Sequence, residues 1–145
     1  MHFVTGGAFN GKRKWVKAFY QLNEKNDYVW ISAYEKNGAQ MEWKAVDSFQ
    51  TITVIEGVEQ FLYKWSNQTN WREKWHDVFK SWEKWELENP MRKLVVIGTD
   101  ITKGVVPLDE RNRNWRDMTG WCYQDLVSHS KRVDVIWYGI NERLK

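Results

Sequence analysis

The chain has 145 residues and a mass of 17.5 kDa, enough to bury the core of one domain, which we predict over residues 1–145. Its 42% hydrophobic and 28% charged residues, with only two prolines, exclude a low-complexity chain. One cysteine excludes an internal disulfide, and no apolar run reaches the roughly 20 residues of a membrane-spanning helix. We therefore expect a soluble cytoplasmic protein, and its net charge of +3 suits an anionic ligand without indicating nucleic acid.

The first predicted element is a strand at residues 3–5, inside a stretch that continues into glycines, VTGGAFNGKR at residues 4–13. This stretch nearly matches the phosphate-binding pattern G-x-x-x-x-G-K-[ST], with Gly6, Gly11 and Lys12 in register. In such a loop, backbone N–H groups surround phosphate oxygens, and the helix that follows, predicted at 12–22, adds partial positive charge. The predicted nucleotide-binding residues are Gly6, Gly7, Ala8, Asn10, Gly11, Lys12 and Arg13.

Arg13 stands where the pattern has serine or threonine, and it changes what the loop can bind. A hydroxyl at this position would ligate Mg²⁺, whereas a guanidinium carries only hydrogen-bond donors and cannot hold a cation. Its planar fork suits phosphate, so the loop predicts an anion site more directly than a Mg²⁺ site. The alternative is a glycine-rich turn beside a solvated basic cluster at residues 12–14.

Four further apolar runs predict buried strands, and three more segments predict helices. The strands are expected at residues 28–32, 51–55, 93–97 and 133–138, and the helices at 58–67, 69–88 and 109–130. This alternation predicts a three-layer α/β domain with a mainly parallel central sheet of about five strands. Because its first strand and helix enclose the glycine loop, we predict a P-loop NTPase-like domain.

The predicted helix at 69–88 carries a stripe of large apolar side chains. The members recur at spacings of three and four residues: Trp71, Trp75, Val78, Trp82 and Trp85. Such a stripe predicts packing against the core, and the alternative is the floor of a cleft for a large flat ligand. Pro90 ends the pattern, because proline cannot continue the hydrogen bonding of a helix.

Several segments, in order, resemble a known family. VTGGAFNGKR resembles VTGGARSGKS, and residues 95–126, which contain GTDITKGVVP and RNWRDMTG, resemble V-x-N-E-V-G-x-G-I-V-P and R-x-F-R-D-x-x-G-x-x-N-Q. ITVIEGVEQFL at 52–62 and VDVIWYGINERLK at 133–145 are similar to two further strands of that family. The chain is thereby identified as a shortened, divergent member of the bifunctional adenosylcobinamide kinase/adenosylcobinamide-phosphate guanylyltransferase family of cobalamin biosynthesis.

The resemblance implies a kinase step, in which GTP or ATP phosphorylates the aminopropanol hydroxyl of adenosylcobinamide, and a transfer of GMP through a covalent histidine. It implies catalytic roles for Lys12 on the phosphates and for Glu56, which would organise Mg²⁺ or orient the nucleophile. Asp100, which stands where the family has glutamate, would support the site. Three residues of the second motif are expected at the substrate rim, where the alternative is an ion-paired solvated face: Arg113, Arg116 and Asp117.

The histidine that would carry guanylyl transfer is missing. In the family it follows the second strand, but residues 31–49 contain none, and the histidines present are His2, His76 and His129. We therefore expect the kinase step, with a nucleoside triphosphate and a corrinoid as partners, in a homo-oligomer as the resemblance implies. The alternative is a catalytically impaired nucleotide- or corrinoid-binding regulatory protein. Basic residues interleaved with acidic ones argue against nucleic acid as a partner.

Overall fold

The computed structural model describes residues 1–24, 27–35 and 45–145. Its elements are, in chain order, β1 (His2–Thr5), α1 (Lys12–Phe19), β2 (Tyr28–Ser32), β3 (Ile52–Glu56), α2 (Val58–Tyr63), α3 (Trp71–Leu87), β4 (Lys93–Ile97), α4 (Glu110–His129), β5 (Arg132–Trp137) and β6 (Ile140–Arg143). Short 3-10 turns lie at Leu22–Glu24 and Val46–Ser48. None of the helices in these ranges is long and apolar enough to cross a membrane.

The strands of the described ranges form one sheet in the order β2-β3-β4-β1-β5-β6. Strands β1 to β5 run parallel to their neighbours, and β6 is antiparallel to β5. The carboxyl ends of the parallel strands therefore meet at one edge, where α/β proteins commonly bind ligands. This arrangement confirms the predicted α/β fold with a mainly parallel sheet, consistent with a P-loop NTPase-like domain.

Strand β6 is one strand more than the sequence predicts. It returns along β5 through a tight turn at Tyr138 and Gly139, whose φ angles are 49° and 84°. The side chain of Asn141 fastens it by donating a hydrogen bond from Nδ2 to Asp134 Oδ1 at 2.9 Å. All four residues of β6 are exposed, so no apolar run marks the strand in the sequence.

Helices cover both faces of the sheet, because successive strand residues point to two separate apolar clusters. One cluster joins Phe3 and Val96 to α2, α3 and α4, and the other joins Val4 and Val95 to Val16 of α1. The predicted stripe of α3 lies in the first cluster, which confirms that it packs against the core. Its buried members are Trp75, Val78, Trp82 and Trp85, with Trp71 partly buried against them.

Candidate functional site

The segment between β1 and α1 is a tight loop that closes on the start of the helix. Gly6 has a φ of 138°, and a Cβ there would overlap the carbonyl oxygen of Ile136, so this position requires glycine. Gly11, the N-cap of α1, provides no side-chain cap, and the first turn holds no acidic residue. The helix N-terminus therefore presents uncompensated partial positive charge to the loop, as an anion site requires.

Lys12, the first residue of α1, points back into this loop. Its Nζ donates hydrogen bonds to the carbonyl oxygens of Gly6 at 3.1 Å and Gly7 at 2.7 Å, and the side chain is buried. Burial lowers the pKa of Lys12, while nearby carboxylates, that of Glu59 foremost, oppose the shift. The loop thus holds an ammonium group at the start of the helix, beside the N–H groups that would contact phosphate.

Glu56, the last residue of β3, is bound by Arg13 from the first turn of α1. Arg13 Nε lies 3.0 Å from Glu56 Oε1 and 2.9 Å from Oε2, and Arg13 Nη2 donates to Ser32 Oγ at 3.1 Å. Trp30 Nε1 donates to Glu56 Oε2 at 2.9 Å. Burial would raise the pKa of Glu56, but the hydrogen bonds from Arg13 and Trp30 outweigh it and hold that pKa below its ordinary value. Both oxygens of this carboxylate therefore accept hydrogen bonds within the protein.

These residues do not fit a magnesium ion. Mg²⁺ requires oxygen ligands in octahedral geometry, and position 13 offers guanidinium N–H groups where the pattern has a hydroxyl. Glu56, expected to organise the metal, already accepts hydrogen bonds on both oxygens. Across the described ranges, no group of three or more His, Cys, Asp or Glu side chains is placed to hold a metal ion. The geometry therefore gives the metal role of Glu56 no support.

Glu59, in the first turn of α2, is a buried carboxylate that the sequence analysis misses. It is 1% exposed, and its Oε2 accepts hydrogen bonds from the backbone N–H of Thr99 at 3.0 Å and the hydroxyl of Tyr123 at 3.3 Å. Its Oε1 accepts a hydrogen bond from the hydroxyl of Tyr34. Glu59 thus ties α2 to the segment after β4 and to α4. Its one signal in the sequence is its place three residues after Glu56, at a strand-to-helix junction.

Asp100 lies beside the loop, but its carboxylate closes a turn of its own. Its backbone N–H donates to the carbonyl oxygen of Gly6 at 3.0 Å. Its Oδ1 accepts from the N–H and the hydroxyl of Thr102 at 3.0 and 2.6 Å, and Lys103 Nζ lies 3.4 Å from Oδ2. Burial would raise the pKa of Asp100, but the hydrogen bonds from Thr102 and the charge of Lys103 outweigh burial and hold that pKa below its ordinary value. The carboxylate is therefore ionised next to the loop.

Arg113, predicted at the substrate rim, holds the connection between β4 and α4. Its Nη1 donates hydrogen bonds to the carbonyl oxygen of Pro107 at 3.1 Å and to that of Leu108. The helix itself begins after Asp109, whose Oδ1 accepts from the N–H of Asn112 at 2.9 Å and caps it. Arg113 therefore holds the backbone of this connection, and its place at a substrate rim stays a prediction.

Arg116 and Asp117, the other two residues predicted at the rim, line an open cleft on α4. The cleft has a volume of about 260 Å³, and its other lining residues are Thr102, Gly120, Trp121 and Gln124. Arg116 Nη1 itself is buried away from solvent and has no hydrogen-bond partner among the described residues. Because Thr102 also binds Asp100, the cleft adjoins the turn beside the loop.

All three histidines lie within the described ranges, and none stands at the loop. His2 opens β1 and His129 ends α4, at the opposite edge of the sheet, while the side chain of His76 is 66% exposed on α3. In the segment where the resemblance places a histidine, residues 36–44 lie outside the described residues and contain no histidine in the sequence. The structure brings Lys12 and Asp100 to one loop without a histidine beside them.

A protein-family model described as cobinamide kinase / cobinamide phosphate guanyltransferase matches residues 30–144. The match runs from within β2 to the residue after β6 and does not include the glycine loop. The anion site at that loop is therefore supported by its geometry and its sequence pattern. No curated protein matches the chain. Because the family model covers most of the chain, including Glu56, Asp100 and the whole of α4, the chain belongs to the cobinamide kinase / cobinamide phosphate guanyltransferase family of cobalamin biosynthesis.

Proposed function

We propose that the chain binds a purine nucleoside triphosphate at the 6–13 loop and carries out the kinase step of its family, phosphorylating the hydroxyl of cobinamide. The observation that carries this proposal is the loop itself, a glycine turn that ends at the uncapped N-terminus of α1 with Lys12 inside it. Such a loop binds phosphate through backbone N–H groups, helix charge and an ammonium. Family membership supports a corrinoid as the phosphoryl acceptor.

Phosphoryl transfer depends on positioning and charge neutralisation more than on covalent chemistry from the protein. The hydroxyl oxygen of cobinamide bonds to the γ-phosphorus while the bond to the β,γ-bridging oxygen breaks, and the nucleoside diphosphate leaves. We assign Lys12 to the β- and γ-phosphates and Asp100, which is ionised and partly exposed, to the proton that the hydroxyl loses. Glu59 positions Asp100 through its hydrogen bond to the preceding residue, Thr99.

The corrinoid side of the site is proposed at the cleft on α4. Arg116 and Asp117 line it, and Thr102 connects it to Asp100 and so to the loop. Arg116 brings a guanidinium charge to the lining of this cleft, which suits a polar or anionic group of a substrate. These two residues therefore remain our candidates for the rim.

A second candidate is a catalytically impaired nucleotide- or corrinoid-binding protein that regulates a partner. The contact between Arg13 and Glu56 favours it, because that contact occupies the carboxylate expected to organise the metal ion of phosphoryl transfer. The loop and Lys12 are unaffected by the contact. Nucleotide binding could then persist where transfer is lost.

Transfer of the radiolabelled γ-phosphate of GTP or ATP to adenosylcobinamide separates the two candidates. We expect labelled corrinoid from the wild type and a loss of about 10- to 100-fold in Lys12→Ala, because a hydrogen bond to a charged group contributes about 1.5–3 kcal/mol. Lys14→Ala is the matched control, since Lys14 is an exposed lysine of the same helical turn. Bound nucleotide without labelled corrinoid would reject the kinase and leave the regulatory candidate.

Guanylyl transfer is tested separately with GTP labelled in the α-phosphate. The family's covalent intermediate would leave label on the protein, and we expect none here because no histidine stands at the loop. The protein is denatured, washed and counted after incubation, with and without adenosylcobinamide. Acid-labile label on His76 or His129 would show that the chain transfers GMP by another route.

A further inference from the structure

We propose, resting on the nucleotide binding inferred above, that the 6–13 loop binds nucleotide phosphate without a divalent cation, because Arg13 takes the place of the metal. Arg13 stands at the position that would ligate the ion, and its guanidinium holds the carboxylate that would organise it. The two residues that stand where Mg²⁺ would be ligated and organised are therefore bound to each other. Nucleotide binding by this loop therefore needs no divalent cation, whereas a loop ending in serine or threonine binds nucleotide together with Mg²⁺.

Both oxygens of Glu56 already accept hydrogen bonds, with which a metal ion would have to compete. Arg13 Nε bridges both oxygens, at 3.0 and 2.9 Å, Arg13 Nη2 donates to Oε2 at 2.5 Å, and Trp30 Nε1 adds a fourth hydrogen bond at 2.9 Å. The Glu56 side chain is 9% exposed, so an ion in solution has little access to it. A magnesium ion would have to break these hydrogen bonds and leave the guanidinium of Arg13 without its carboxylate, which is costly for a pair so little exposed.

Arg13 is itself a fixed cation beside the loop. It is the second residue of α1, and its hydrogen bond to Ser32 Oγ at 3.1 Å also holds it to the end of β2. Hydrogen bonding to Glu56 raises the pKa of Arg13, so its charge is permanent. Its side chain is 44% exposed, and Nη1 donates to no group of residues 1–24, 27–35 or 45–145. Two N–H groups thus remain for a phosphate oxygen.

The pairing also changes the charge that a phosphate meets. An unpaired Glu56 at the end of β3 would repel phosphate, and a divalent cation normally removes such repulsion by binding both groups. Arg13 cancels the charge of Glu56 within the protein. Lys12 and the N-terminus of α1 then attract phosphate without help from an ion.

The test is the dissociation constant of GTP measured by calorimetry in excess MgCl₂ and in excess EDTA. For the wild type we expect the two values to agree within about threefold, a difference of under about 1 kcal/mol. Arg13→Ser restores the hydroxyl of the pattern and frees Glu56, so we expect binding at least about tenfold tighter with Mg²⁺ than with EDTA. Lys14→Ser loses the same charge one residue later and should behave as the wild type.

Glu56→Gln provides a second variant that keeps Arg13 and removes the carboxylate. If Arg13 has replaced the metal, this variant also binds GTP equally with Mg²⁺ and with EDTA. Urea denaturation of each variant verifies that it folds. If one of Arg13→Ser and Glu56→Gln does not fold, the other still tests the inference. Wild-type binding that requires Mg²⁺ would overturn the inference while leaving the proposed nucleotide site intact, and loss of that requirement in Glu56→Gln would identify Glu56 as the residue that organises the ion. No binding by the wild type in either solution would reject both.

Discussion

At the scale of single residues, His2 shows how burial sets the charge of a side chain. Its Nε2 lies 2.8 Å from Asp134 Oδ2, and its Nδ1 lies 2.7 Å from the hydroxyl of Tyr20. Burial lowers the pKa of His2 from 6.5 to about 4, and Arg132 and the N-terminal ammonium add to the shift, although Asp134 opposes it. His2 is therefore uncharged in the folded protein at neutral pH.

We expect the free energy of unfolding to fall on acidification from about pH 6.5 toward pH 4. In that window the unfolded chain binds a proton on His2 that the folded chain does not, so this contribution is complete above pH 6.5 and is lost below it. Between about pH 7 and about pH 5 the loss amounts to about 2 kcal/mol. Urea denaturation should show a smaller pH dependence in His2→Asn and an unchanged one in His76→Asn, whose histidine is exposed. Equal slopes in the wild type and His2→Asn would contradict this assignment.

Gly6 is the residue of the loop that tolerates change least. Its φ of 138° and the carbonyl oxygen of Ile136 leave no room for a Cβ, so we expect Gly6→Ala to lose about 1–3 kcal/mol of stability and to bind GTP measurably more weakly. Gly120→Ala is the control, because Gly120 lies inside α4 and a Cβ there would make an ordinary contact, 3.6 Å from Thr102 Cγ2. It should remain within about 1 kcal/mol of the wild type. Gly6→Ala with wild-type stability and GTP affinity would show that the loop is less constrained than we describe.

At the scale of elements, α3 is fixed to the sheet and to α4 by its indole rings. Trp75 is 1% exposed and donates a hydrogen bond from Nε1 to Asp125 Oδ2 at 2.9 Å. We expect Trp75→Ala to cost about 3–5 kcal/mol, from the cavity and the lost hydrogen bond. Trp121→Ala, at a ring that is 48% exposed and stacks on Trp71, should cost about 1 kcal/mol or less. Chemical denaturation measures both, and equal losses would contradict the core role of α3.

The sequence predicts the elements whose burial leaves a periodic or unbroken apolar pattern. Strands β3 and β4 are covered on both faces and appear as continuous apolar runs, and α3 appears as a stripe of tryptophans. Three elements deviate because their bounds depend on backbone conformation, and one of them is α2, which ends at Tyr63 instead of 67. Helix α1 ends at Phe19 instead of 22, where Gln21 takes a φ of 54°, and β6 follows a two-residue turn and has no buried apolar run to mark it.

At the scale of the whole molecule, the strand order determines which site residues meet. Strands β1 and β2 are separated in the sheet by β4 and β3, so α1, which lies between them in the chain, crosses the sheet face. Its first turn thereby brings Arg13 to the end of β3, where Glu56 lies. The sequence indicates a carboxylate at a strand end and an arginine after a glycine loop. It does not reveal that they bind each other, because that contact depends on the strand order.

The same topology explains why the sequence reveals only some of the residues that meet at the candidate site. Parallel strands bring the loop after β1 and the segment after β4 together, and Asp100 reaches Gly6 through its backbone. Glu59 joins them from α2 and escapes sequence analysis because its partners, Thr99 and Tyr123, are 40 and 64 residues away. Sequence patterns indicate which sheet edge carries the candidate site, whereas the hydrogen-bond partners of its side chains depend on the three-dimensional fold.

The central claim, that the 6–13 loop is a nucleoside triphosphate site, is tested most directly by calorimetric titration of GTP and ATP into the wild type and Lys12→Ala. We predict saturable binding at one site by the wild type, weakened about 10- to 100-fold in Lys12→Ala and unchanged in Lys14→Ala. Urea denaturation of the same samples verifies that Lys12→Ala is folded. No saturable binding of either nucleotide by the wild type, or equal affinity in Lys12→Ala, would contradict the claim.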